Sequence, residues 1–183
     1  YYSGSHVTVD LKKTVFYSQF LNKHNACNFS TIWNMMGTHY QRGEGFELNY
    51  QKGLDYFIKT VLAGNTIGFW GLGEAYQYGW GLEKNNLNAY ICYEFLQRNY
   101  WYLHDQSAKV RVVAASNKIK KLLTNEEIKE AEKKLSVLKK DYSQLLAVLD
   151  LENDELDNSI QVINQEQDNS LDVDIKISNK ISD

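Results

Sequence analysis

Two stretches of the chain carry one pattern: WNMMGTHYQRGEGFELNYQKGLDYFI, residues 33–58, and FWGLGEAYQYGWGLEKNNLNAYICYE, residues 69–94. Gly37 aligns with Gly73, Tyr40 with Tyr76, Gly43 and Gly45 with Gly79 and Gly81, and Asn49 with Asn85, all at an offset of 36. A fixed period in this range marks stacked helical hairpins, each too small to bury its apolar face alone. A third, shortened copy precedes them. Tyr1, Gly4, Val7, Asp10, Lys13 and Tyr17 fall in register with Tyr40, Gly43, Phe46, Asn49, Lys52 and Tyr56 at an offset of 39. The sequence therefore opens inside a repeat and reads as the C-terminal piece of a longer protein.

Within one repeat, Ile32, Trp33, Met36, Gly37 and Tyr40 recur at helical spacing and predict a first helix with one apolar face. Ser30 and its counterpart Thr66 are N-capping types, which places the first-helix starts there. The first helix is expected to end near Gly43, where glycine tolerates the left-handed backbone of a helix end. Asp10, Asn49 and Asn85 then mark three second-helix starts. Those helices carry Gly53, Leu54, Phe57 and Val61 in one copy and Ala89, Tyr90, Tyr93 and Leu96 in the next. The small residues Gly37, Gly73, Gly53 and Ala89 predict close helix approach, which offsets glycine's helix-propensity cost of about 1 kcal/mol.

Beyond the repeats, Ala108, Val112, Ala115 and Ile119 predict a helix from about Asp105. Thr124 and Glu127 form a capping box that opens a last helix. Its apolar residues Ile128, Ala131, Leu135, Leu138, Tyr142, Leu145 and Leu149 make a heptad seam. That seam is expected to pack along the preceding helix and seal the array; its other use would be a coiled-coil arm for self-association or for a partner helix. From Asp150 onward ten acidic residues face two lysines, a balance of −8 in a chain of net charge −3, which leaves +5 on residues 1–149. The acidic, amide-rich stretch predicts a disordered tail, apart from a strand-like alternation at Leu171, Val173, Ile175 and Ile177. The organisation read from the sequence is repeats over 1–103, capping helices over 104–149 and the acidic tail over 150–183. Proline is absent where about nine would be average, and this favours uninterrupted helices.

The pattern resembles the Sel-one-like repeat family, a variant of the tetratricopeptide superhelix. The likeness rests on Met36-Gly37, Tyr40, Gly43, Gly45-Phe46, Asn49, Lys52-Gly53 and Tyr56, and on Leu72-Gly73, Tyr76, Gly79, Gly81-Leu82, Asn85 and Ala89. An ordinary tetratricopeptide repeat has a period of about 34 residues and lacks the glycine-x-glycine between its helices. Departures exist: Ile32 and Gly68 stand in place of the usual alanine and Cys92 in place of an aromatic. The resemblance implies an all-α superhelical solenoid whose last helices cap the array, and a scaffold or adaptor that binds a protein or peptide. It also leaves room for a repeat region of a larger enzyme or of a secreted bacterial effector. A cytoplasmic setting is favoured for this piece, with a secreted or periplasmic one left open.

The residues themselves point away from catalysis. His6, His24, His39 and His104 are scattered without metal-ligand spacing, and the glycine pairs lack the third glycine of a dinucleotide fingerprint. No cofactor or metal is expected. The lysines of the last helices interleave with Glu126, Glu127, Glu130 and Glu132, which makes a solvated surface and no nucleic-acid site. No apolar run approaches the roughly 20 residues of a membrane span. Cys92, among Tyr90, Ile91 and Tyr93, reads as a buried thiol. A partner surface is expected from a second stripe on the first helices, which would line the concave wall: Asn34, Thr38 and Gln41, matched by Trp70, Glu74 and Gln77. Trp70 is its expected anchor.

Overall fold

Asn49 and Asn85 each sit at a helix start and hold its first turn: the Lys52 N–H donates to Asn49 Oδ1 at 2.9 Å, and the Asn88 N–H to Asn85 Oδ1 at 3.0 Å. The computed structural model describes residues 29–99, 106–137, 144, 148–149 and 151. Six helices and no strand occur among the described residues: α1 (Phe29–Arg42), α2 (Tyr50–Leu62), α3 (Gly68–Tyr78), α4 (Asn86–Asn99), α5 (Gln106–Lys120) and α6 (Asn125–Val137). The described part of the chain is all-α and repeat-like. The half repeat from Tyr1 to Tyr17, the Asp10 helix start, Cys27, the seam residues Leu138, Tyr142 and Leu145, and the acidic tail lie outside the described residues.

The two hairpins, α1–α2 and α3–α4, close in the same way 36 residues apart. The Asn49 N–H donates to the Tyr40 carbonyl and the Asn85 N–H to the Tyr76 carbonyl, each at 2.9 Å. Both turns leave the first helix through a left-handed glycine, Gly43 at φ +68° and Gly79 at φ +75°, a conformation that costs a residue with a Cβ. The sequence period is therefore a period in backbone bonds.

What sets the helix spacing is an aromatic ring lying on glycine. A Cβ placed on Gly37 would stand 2.6 Å from the Phe57 ring, and one on Gly73 would stand 2.5 Å from the Tyr93 ring. Phe57 presses against the next hairpin too, because a Cβ on Gly71 would come within 2.4 Å of the same ring. That ring, 1% exposed, thus fills the space between α1 and α3. Around it Leu54, Ile58, Val61, Phe69, Leu72, Tyr90, Tyr93 and Leu96 form one continuous core, with Phe69 and Phe95 edge to face at 4.7 Å. Each neighbouring pair from α1 to α5 packs together.

Three local expectations change. Ser30 lies inside the first turn of α1, where its hydroxyl accepts from Asn65 Nδ2 at 2.9 Å and its carbonyl accepts from Thr60 at 3.3 Å. It ties α1 to the far end of α2 and does not cap its helix. Thr66 is buried ahead of α3, whose entry is held by Asn65 Oδ1 accepting the Ile67 N–H at 3.1 Å. The capping box at Thr124 and Glu127 forms as read, with the Thr124 N–H donating to Glu127 Oε2 at 2.7 Å, but α6 takes α4 as its main neighbour in place of α5. Ala131 and Leu135 enter the core there, and Arg98 pairs with Glu132 at 2.6 Å. Farther along the seam, the Leu149 carbonyl accepts from Tyr76 Oη at 2.7 Å and Asn88 Nδ2 at 3.0 Å, with Leu149 and Leu151 buried. Leu149 is thus engaged with the second hairpin of its own chain.

Candidate functional site

The six stripe residues divide into two groups. Gln41 and Gln77 are interior, 4% and 8% exposed, turned toward the second helix of their own hairpin. Tyr93 Oη donates to Gln77 Oε1 at 2.8 Å, while the Gln41 side chain lies against Gly53 of α2. These two drop out of an accessible surface for a geometric reason. A stripe at i, i+4, i+7 keeps almost one angle on the helix, and at the C-terminal end that angle points into the hairpin.

The repeat also explains an unusual buried atom. Gln41 Oε1 is buried without a hydrogen-bond partner among the described residues. Its counterpart Gln77 has the Tyr93 hydroxyl, whereas the residue equivalent to Tyr93 is Phe57. Both rings sit on their glycine at nearly the same distance, 2.6 Å and 2.5 Å for the notional Cβ, so the first hairpin differs by one missing hydroxyl.

Asn34, Thr38, Trp70 and Glu74 remain half-buried on the first helices. Thr38 Oγ1 donates back to the Asn34 carbonyl at 3.0 Å, and Asn34 Oδ1 has no partner among the described residues. Trp70 packs on the core with its ring 5.5 Å from that of Tyr93, so one face of the ring is spent on packing. Burial pushes the Glu74 carboxyl above the usual carboxylate value of 4.5, opposed by Arg42 of α1 and by Arg111 of α5. Glu74 therefore feels charges from Arg42 on α1 and from Arg111 on α5, and the surface around it is the candidate face.

Three residues of that face escape a stripe drawn at i+7. Arg42 is exposed, Tyr78 is 49% exposed, and they are equivalent at the 36-residue offset. The signal was present as the i+8 continuation past Thr38 and Glu74. Arg111 could be found only once α5 was set beside α3. Trp80 has another role: it stacks on Tyr50 of α2 at 5.7 Å, with Tyr78 at 4.7 Å, and fastens one hairpin's loop to the helix of the other.

Neither His39 nor Cys92 offers a reactive group. His39 is buried, with Nδ1 3.8 Å from Glu44, and burial lowers its pKa despite that carboxylate. Burial pushes the Cys92 thiol far up. No cluster of three metal-ligating side chains occurs among the described residues, and no described helix is long and apolar enough to cross a membrane. No protein-family model, no curated protein and no solved structure matches the chain.

Two outcomes follow from this geometry. Phe57→Tyr should supply Gln41 with the donor that Gln77 already has and stabilise the fold by about 1 kcal/mol, read by chemical denaturation. A loss of stability would show that the ring does not aim at Gln41. For Glu74, a folded pKa raised above the unfolded value stabilises fully below about pH 4.5, and that stabilisation is lost as pH rises through the folded value. Glu74→Gln should then melt above the parent at pH 7 and converge with it under acid conditions. A lower melting temperature at pH 7 would mean that Arg42 and Arg111 outweigh burial.

Proposed function

We propose that this chain is part of an α/α solenoid of Sel-one-like repeats in which α5 and α6 cap the array and the acidic tail is disordered beyond Leu151, which is itself buried. In this reading it is a non-catalytic scaffold or adaptor. A protein or peptide partner lies along the face shared by α1, α3 and α5, touching Asn34, Thr38, Trp70 and Glu74 together with Arg42, Tyr78 and Arg111. The observation that carries the reading is that α1 packs beside α3 with exposed Arg42 and Arg111 both acting on half-buried Glu74, because a binding wall needs more than one helix to present one surface. Half-buried Trp70 supports it: an aromatic residue held by packing on one side loses little freedom when a ligand covers the other. Specificity would reside where the copies differ, Asn34 against Trp70, Thr38 against Glu74 and Arg42 against Tyr78.

A photo-crosslinking residue placed at Thr38, Glu74 or Glu126 in turn tests this in cells making the chain. Discrete adducts are expected from the first two positions and not from Glu126, which is exposed on α6. Adducts at Glu126 alone, or at none of the three, would contradict the reading.

A further inference from the structure

The charges of the chain are sorted by helix. On α1, α3 and α5 the cationic side chains are Arg42, Lys109, Arg111, Lys118 and Lys120, five against the single carboxylate Glu74. On α2, α4 and α6 six cationic side chains meet six carboxylates. The described ion pairs of lysine and arginine belong to the second set: Arg98 with Glu94 at 3.2 Å and with Glu132 at 2.6 Å, and Lys134 with Glu130 at 3.5 Å. The second set is balanced in number. In the first, Lys120 acts on Glu132 of α6, whereas Arg42 and Arg111 are exposed and make no ion pair among the described residues.

The single carboxylate of the shared face does not cancel this excess. Glu74 is half-buried, one turn after Trp70 on α3. Exposed Arg42 and Arg111 are the cations that act on it, and Tyr78, one turn farther along α3, is 49% exposed. Guanidinium groups fork onto carboxylates with matching geometry, and an electropositive face raises the encounter rate of an anionic partner.

Resting on the functional reading above, we propose that the partner of this face is an acidic peptide segment. Its carboxylates are held by Arg42 and Arg111, and an apolar side chain between them lies over Trp70 and Tyr78. Recognition of this kind is salt-sensitive, because the arginines are exposed and screened within about 10 Å at about 0.1 M salt.

Fluorescence polarisation of the full chain tests this with two short labelled peptides, one of Asp, Glu, Leu and Phe and the other with Lys and Arg in place of the acids. The acidic peptide should bind and weaken as salt rises from about 50 mM to about 300 mM, with the basic peptide at least about tenfold weaker. The double variant Arg42→Glu/Arg111→Glu should lose at least about tenfold in affinity for the acidic peptide, its fold checked by circular dichroism. Glu74→Gln, which removes a carboxylate from the face, should bind it more tightly, and weaker binding would contradict the acidic assignment. Preference for the basic peptide, or binding of neither, overturns the acidic assignment. Acidic binding that survives reversal of the two arginines but is lost on Lys133→Glu/Lys134→Glu places the partner on α6 and overturns the reading of the face itself.

Discussion

An aromatic ring lying flat against glycine is the contact on which the other distances depend. Phe57 has Gly37 on one side and Gly71 on the other, and Tyr93 has Gly73. A methyl group in any of these places would overlap the ring, so the helices are as close as a ring's thickness allows. This brings α1 beside α3, and that adjacency is what lets a charge on Arg42 reach Glu74. The packing of the interior therefore decides the electrostatics of the surface.

The same contact shows how near-identical repeats come to differ. Tyr93 adds a hydroxyl that satisfies Gln77, and Phe57 leaves Gln41 without one. Lys52 sits over the Tyr40 ring at 5.4 Å, whereas its counterpart Asn88 joins Tyr76 in holding the Leu149 carbonyl. The second hairpin uses those positions to hold Leu149.

Much of this was legible in the residues. The caps at Asn49 and Asn85, the Thr124–Glu127 box and the glycine positions could be read because each depends on local chemistry repeated in register. The buried faces of α2 and α4 followed from spacing alone. What could not be read depended on contacts between elements distant in sequence. Ser30 looks like a cap until Asn65 and Thr60 arrive to claim it, and the heptad seam does not say that α4 is its neighbour. The candidate surface failed at Gln41 and Gln77 for the same reason: helical spacing gives an angle, but only the packed hairpin says whether that angle faces solvent. The exposed residues nearest the candidate face, Arg42 and Tyr78, sit one position farther along the same helices, and Arg111 acts on Glu74 from a helix distant in sequence.

If ring-on-glycine packing is what the repeat encodes, equivalent positions must respond alike. Alanine has a helix-propensity advantage over glycine of about 1 kcal/mol, whereas overpacking a core costs about 1–3 kcal/mol, so the sign of the change reports on the contact. Denaturation of Gly37→Ala and Gly73→Ala should show both destabilised, by similar amounts of about 1–2 kcal/mol. A neutral or stabilising result at either position would contradict the close approach and, with it, the placement of α1 beside α3.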